Sequence, residues 1–272
     1  MPQGTKLSRA ASFVRTKARN LHHRLRSATF RPYQIRRRIA GETIDFVIGD
    51  LFGEALYGPK HDPWPEFDWI KNNGIREGDT VIDCGANHGF STVLFAKWAG
   101  DEGRVFAVEP LPHNMEILKR NLLLSGRTNV SCHNVAAGAR RDGVQITTHP
   151  NGTIQRKASN QRTIMVPVER LDEIVGGTRI DFLKVDVEGF ELDVLRGAER
   201  ILSSRPRLDL ELHVFLYSDK IATLQSIFSL LDLNSYQVDL QLEVDGALKP
   251  FRVDEHSAQE LSQHDLIHIF CK

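Results

Sequence analysis

The residues with the clearest chemical content begin at Asp83-Cys84-Gly85-Ala86-Asn87-His88-Gly89, where two glycines allow a tight turn and close backbone approach to a ligand, beside a carboxylate. The GxGxxG dinucleotide fingerprint is absent. A pyrophosphate would be repelled by Asp83, whereas a cationic ligand would be attracted. Glu109 follows twenty-six residues later, where a carboxylate can accept hydrogen bonds from both hydroxyls of a ribose. The alternative for Glu109 is a strand-end acid that caps the helix opened by Pro110. Together, Asp83, Gly85, Gly89 and Glu109 point to a nucleoside with a positively charged tail, and S-adenosylmethionine fits that description.

Strand ends must position such residues. Residues 79–83 read as a strand entering the glycine loop, and a helical pattern runs from there through Phe95 and Trp98. Residues 104–109 read as a second strand, stopped by Pro110, and 113–124 as a helix with Met115, Leu118 and Leu122 on one face. Before them, 65–73 suggest a short helix ended by Gly74. After them come strands at 129–134 and 163–167 around an irregular stretch, 138–161, then a buried strand at 180–186 and a helix over 191–202. A strand at 207–213, a helix over 220–231 and two β-rich runs, 236–244 and 266–271, complete the chain, the last two reading as an antiparallel edge. Alternating strands and helices imply an α/β fold with a mostly parallel sheet and ligands beyond the carboxyl ends of its strands.

The segments VIDCGANHGFST, GRVFAVEPLPHNMEILKRNL, NVAAG, IDFLKVDVEGFELDVLRGA and LELH resemble the FkbM-type S-adenosylmethionine-dependent methyltransferases. The resemblance runs from about Glu66 to His213, and DVEGFE is its most specific part. It implies a class I methyltransferase (Rossmann-like) sheet of seven strands, one of them antiparallel, and methyl transfer to a hydroxyl of a sugar, polyketide or similar small molecule. Carried over, it implies that Asp83, Gly85, Ala86, Asn87 and Gly89 wrap the methionine part, Glu109 and Pro110 meet the ribose, and Asn134, Val135 and Ala136 flank the adenine. Asp186 would face the methionine amino group or the reacting hydroxyl, with Glu188 and His213 holding the acceptor. His213, Asp186 and Glu188 are the candidate bases, His213 first because an unperturbed imidazole titrates near neutrality. Glu188-Gly189 could equally be a helix start. Asp186 and Glu211 sit at strand ends that could hold a divalent ion, but two such acids are too common to predict one, and no metal is expected. Lys184 and Asp181 read as structural.

The 35 basic and 35 acidic residues cancel, but unevenly. Residues 1–41 hold eleven Lys and Arg and no acid, leaving 24 basic against 35 acidic residues in 42–272. The first segment is expected to be a basic amphipathic extension, with Leu7, Ala11, Val14, Ala18, Leu21 and Leu25 on one helical stripe, and the second a single catalytic domain. Such an extension suits an anionic membrane surface, nucleic acid or an organelle presequence, and equally a solvated arm that packs against its own acidic domain or does nothing specific. Three scattered cysteines, Cys84, Cys132 and Cys271, suggest a reduced, cytoplasmic protein without a zinc cluster, and no apolar run is long enough for a transmembrane segment. The acidic body makes a nucleic-acid methyltransferase the weaker enzymatic alternative, and a non-catalytic nucleoside-binding protein tethered by its basic helix is the other.

Overall fold

The computed structural model describes residues 29–58, 64–147, 162–242 and 246–272. It opens with an antiparallel hairpin, β1 (Tyr33–Ile39) and β2 (Glu42–Ile48), followed by α1 (Leu51–Tyr57) and α2 (Pro65–Trp69), which runs into a π-helical turn at Ile70–Gly74. Next come β3 (Thr80–Cys84), α3 (Phe90–Trp98), β4 (Arg104–Val108), α4 (Pro112–Ser125) and β5 (Val130–His133). A small sheet of β6 (Ala136–Ala137), β7 (Asp142–Thr147) and β8 (Thr163–Glu169) covers one end, and α5 (Leu171–Ile174) leads to β9 (Phe182–Val185). The chain continues through α6 (Glu191–Arg196), α7 (Glu199–Ser203), β10 (Arg207–Leu212), α8 (Lys220–Leu231), β11 (Val238–Gln241), β12 (Lys249–Phe251), α9 (Ser257–Leu261) and β13 (Ile267–Cys271).

The main sheet has the order β5-β4-β3-β9-β10-β13-β11-β12. β5, β4, β3, β9 and β10 are parallel, and β13 runs antiparallel between β10 and β11. This is the α/β, class I methyltransferase sheet expected from the sequence, with two differences at its end. The last strand is interior because all five residues of IHIFC are buried, as a strand covered on both faces requires. A short eighth strand with Pro250 takes the edge, where a missing N–H costs no ladder bond.

The helix expected over 191–202 is two helices. Gly197 lies so close to the Gly138 carbonyl that a Cβ would stand 2.1 Å from its oxygen, and the axis breaks there. The hairpin also carries the ordered body across residue 41, the expected boundary of a basic extension. Arg37, one of the eleven basic residues, is buried and donates from Nη1 to the carbonyls of Tyr57 (2.9 Å) and Gly58. The Val47 amide donates to Asn121 Oδ1 on α4 at 2.6 Å, tying β2 to the sheet's helical layer. The predicted helix at residues 7–25 lies outside the described residues.

Phe46, Phe90, Phe95 and Phe182 are fully buried between the hairpin, α3 and the sheet. Each such side chain contributes roughly 1.5–3 kcal/mol by burial. Cys84, Cys132 and Cys271 are free thiols. No helix among the described residues is long and apolar enough to cross a membrane.

Candidate active site

The sheet order departs in opposite directions from β3, to β4 on one side and β9 on the other, and a ligand crevice is expected at that divergence. A cavity of about 340 Å³ opens there, at the carboxyl ends of β3, β4, β9 and β10. Its walls include Gly85, Ala86, Asn87, Glu109, Pro110, Ala136, Asp186, Glu188 and His213 from the expected set. Asp83, Gly89, Asn134 and Val135 are not on the wall.

Backbone contacts fix one side. The Gly85 and Ala86 amides donate to the Val108 carbonyl at 2.9 and 3.1 Å, and the Asp186 amide donates to the Cys84 carbonyl at 3.0 Å. Gly85 has φ +91°, and a Cβ on it would stand 1.7 Å from the Asp186 carbonyl oxygen. Glycine is therefore required by both conformation and space. Glu109 Oε2 accepts the Asn87 amide at 2.9 Å, while Oε1 accepts the Leu111 amide at 2.9 Å and Asn114 Nδ2 at 3.1 Å. The residue thus caps the entry to α4 and also anchors the glycine loop while lining the cavity. Burial pushes its carboxyl up to about 7 against the pull of those three donors.

The off-wall residues support this side. Asp83 is wholly buried, and its Oδ2 accepts the Ser91 and Thr92 hydroxyls at 2.8 and 2.5 Å, so its carboxylate faces α3 and not the mouth of the cavity. Gly89 is the N-cap of α3, Val135 packs against the core, and Asn134 Nδ2 donates to the carbonyls of Glu109 and Pro110 at 2.8 and 3.1 Å.

Side chains make the other side. Glu188 holds φ +52° in the turn before α6, a conformation uncommon for a residue with a Cβ and enriched at functional sites. That turn precedes the helix, whose first residue is Glu191. His213 Nδ1 contacts Glu191 Oε1 at 3.0 Å; a carboxylate only accepts, so Nδ1 carries the proton. Glu191 is fully buried and also accepts the Gly189 amide and the Tyr217 hydroxyl, both at 2.8 Å. Burial lowers the His213 pKa, but Glu191, Asp186 and Glu211 overcome it and raise the ring to about 10. The imidazole expected to titrate near neutrality is therefore held well above that range by the carboxylates around it.

Lys184, expected to be structural, is buried on the cavity wall with Nζ 3.3 Å from Asp186 Oδ2, 3.9 Å from Asp209 Oδ2 and 4.0 Å from Glu211 Oε2. Burial pushes the Asp186 carboxyl up, and Lys184 and His213 outweigh this to leave it below its ordinary value. Burial and the Asp186 charge push Glu211 up to about 8. Asp181 faces elsewhere and accepts the Thr80 amide.

Sequence reasoning missed the aromatic wall: Phe52, Tyr57, Trp64 and Phe67 line the cavity with Glu66. Tyr57 stacks on Phe90 at 5.0 Å between centroids, and Trp64 meets the same ring edge-on at 4.6 Å. The only available signal was the density of rings over 52–67, ahead of the first strand of the sheet.

S-adenosylmethionine fits this donor set. Five carboxylates against Lys184 and His213 favour a cationic ligand, Glu109 and Asp186 present oxygens to the cavity, and Cys84, Val108, Ala136 and Ile146 supply apolar wall for a base. Residues 83–238 match the methyltransferase FkbM domain. "Methyltransferase 1" of Beauveria bassiana is 30% identical over 182 residues, covering 57% of this chain and 68% of that protein. "Hexuronic acid methyltransferase AglP" of Haloferax volcanii is 29% identical over 146 residues, covering 51% and 57%. An O-methyltransferase structure from Thermotoga maritima is similar at 16% identity and TM-score 0.45, covering 88% of this chain and 77% of that one. A cavity suited to a sulfonium nucleoside, on a sheet of this order, in a chain matched over more than half its length, belongs to a family of S-adenosylmethionine-dependent enzymes: the chain is a member of the FkbM methyltransferases.

Proposed function

We propose that the enzyme methylates a hydroxyl of a small polyhydroxylated molecule, of the sugar or polyketide kind. The observation that supports this reading is the pairing, in one cavity, of an aromatic wall (Phe52, Tyr57, Trp64) with carboxylates (Glu66, Glu188, Glu211). Rings cover the apolar face of a sugar-like acceptor, and carboxylates accept its hydroxyl protons. A polyphosphate chain would meet five acids, which disfavours nucleic acid. When bound, the cofactor supplies an electrophilic methyl group on a sulfonium.

The residues of the chain then have two tasks. Gly85, Ala86, Asn87, Glu109, Pro110 and Ala136 hold the donor on one wall while the aromatic rings hold the acceptor on the other, and such alignment can lower a barrier by roughly 7–11 kcal/mol. Asp186 and Glu188 face the hydroxyl, and one of them takes its proton, worth about 10²–10⁴-fold; His213, raised to about 10, does not serve as the free base. The basic residues of segment 1–41 that precede β1 are proposed to contact an anionic surface without taking part in either task.

Incubation of the full chain with methyl-labelled cofactor and separate pools of neutral glycosides, uronic acids, polyketides and RNA tests this. Label in an O-methyl group of a glycoside or polyketide is expected. Label only in RNA overturns the small-molecule acceptor, and label on nitrogen or carbon overturns the hydroxyl reading.

A further inference from the structure

The carboxylates beside His213 have two faces, one turned to the Lys184 ammonium and the other to the His213 ring. Asp186 Oδ2 and Glu211 Oε2 are the oxygens nearest the Lys184 ammonium, at 3.3 and 4.0 Å. Their other oxygens, Asp186 Oδ1 and Glu211 Oε1, stand 4.0 and 3.9 Å from His213 Nε2. Glu188 Oε2 lies 3.6 Å from the same nitrogen. The three distances from His213 Nε2 exceed a hydrogen bond.

They bring ligand atoms within reach of one ion, which would draw His213 Nε2 and at least one of the two oxygens together by about 1 Å. Atoms about 2.1 Å from an octahedral divalent cation are about 3.0 Å apart at right angles and about 4.2 Å apart across it. One ligand atom each from Asp186, Glu211 and His213 lies within 4.8 Å of the others. The imidazole is prepared for such a role independently of the acids. His213 is 94% buried, since 6% is exposed, and its Nδ1–H is committed to the buried Glu191, which leaves Nε2 aimed at the two carboxylates. A carboxylate behind the histidine is the usual support of a metal-binding imidazole, fixing tautomer and ring orientation.

We propose that Asp186 Oδ1, Glu211 Oε1 and His213 Nε2 form a binding site for a divalent cation of the Mg²⁺ or Mn²⁺ class. Carboxylate oxygens suit Mg²⁺ and Mn²⁺, and the single imidazole favours Mn²⁺ of the two. All three residues line the cavity, so the remaining coordination positions face the acceptor. The ion would hold two neighbouring oxygens of that acceptor, which narrows the substrate class to vicinal diols or hydroxy-carbonyl groups. This rests on the methyltransferase reading of the same cavity. Lys184 balances the far side of the carboxylates, and the ion would sit on the near side, against Nε2.

Manganese itself is the probe. The purified full chain, stripped with chelator, is titrated with MnCl₂ while free Mn²⁺ is followed by electron paramagnetic resonance, and S-adenosylmethionine binding is measured calorimetrically on the same preparation. One Mn²⁺ per chain is expected, with affinity reduced at least tenfold in Glu211→Gln and in His213→Ala, while both variants still bind the cofactor. A chain that binds the cofactor but no Mn²⁺ overturns the metal site and leaves the methyltransferase reading standing. Mn²⁺ binding that both substitutions leave unchanged also overturns it. Failure of the unsubstituted chain to bind the cofactor overturns the underlying reading instead.

Discussion

The two sides of the cavity are made of different material. The wall at β3 and β4 is held by main-chain hydrogen bonds, from Gly85 and Ala86 to Val108 and from Asn87 and Leu111 to Glu109. The wall at β9 and β10 is held by charged side chains, and its cover comes from aromatic residues of α1 and the segment before α2. The first wall lies inside the matched segment 83–238, whereas Phe52, Tyr57, Trp64, Glu66 and Phe67 precede it. The contrast teaches where change is tolerated: main-chain geometry admits few side chains, while a wall of rings can be rebuilt for another acceptor.

The largest expected effect is therefore on the main-chain side. Gly85→Ala puts a methyl group against the Asp186 carbonyl at a φ that L-residues rarely adopt. The atoms it would meet are all backbone atoms of Asp186, so relief requires movement of a strand end. Destabilisation above about 3 kcal/mol, seen as a lower thermal midpoint, and loss of cofactor binding are expected. A variant that melts and binds normally would show that the loop is less constrained than the acceptor wall.

Glu109→Gln comes next and separates anchoring from charge. It keeps the shape of the side chain but loses the ionised acceptor, at a cost of about 10–100-fold in cofactor affinity. Its pH dependence has a definite sign. The folded pKa, about 7, is raised above that of the unfolded chain, so the ionised form is disfavoured and Glu109 takes stability away as pH climbs from about 4.5 to 7. A cationic ligand favours the ionised form, and its affinity should improve about tenfold between pH 6 and pH 8. Calorimetric titration across that range should show the slope in the natural chain and a flattened profile in Glu109→Gln.

Trp64→Ala probes the other wall. Loss of a ring that packs against Phe90 and lines the cavity should raise the acceptor KM about tenfold and leave cofactor affinity unchanged. An equal loss in both would mean that the wall also shapes the cofactor side.

The same division explains what was readable in advance. Asp83, Gly85 and Glu109 stand at fixed offsets in a strand-loop-helix pattern, so their neighbourhood could be inferred locally. What the pattern hid was direction: Asp83 turns to Ser91 and Thr92, and Asn134 turns back onto Glu109. β13 was legible as a strand but not as an interior one, because pairing between β10 and β11 depends on which faces other elements cover. The acceptor wall was illegible for a similar reason. Nothing local to Trp64 or Lys184 says that the sheet will bring them to one cavity, and the pKa expected for His213 ignored Glu191 and Glu211, respectively 22 and two residues away in sequence.

The smallest effect concerns how the aromatic wall is fastened. Asp50 caps α1 by accepting the Gly53 amide at 2.8 Å, and its Oδ2 meets His113 Nε2 on α4 at 2.9 Å. α1 carries Phe52 and Tyr57, so this pair pins the wall to the helix that follows Glu109. The Asp50 hydrogen bond outweighs burial and raises the His113 pKa. A raised histidine contributes its full stability below the unfolded value near 6.5 and loses it as pH rises through the folded one. His113 is 60% exposed, so solvent screening reduces the contribution to about 0.5 kcal/mol or less. His113→Ala should therefore lower the thermal midpoint slightly at pH 6, converge with the natural chain at alkaline pH, and raise acceptor KM more than cofactor Kd. A difference that persists unchanged at high pH would assign the pair's effect to packing, and the acceptor wall would then be as firmly built as the one opposite.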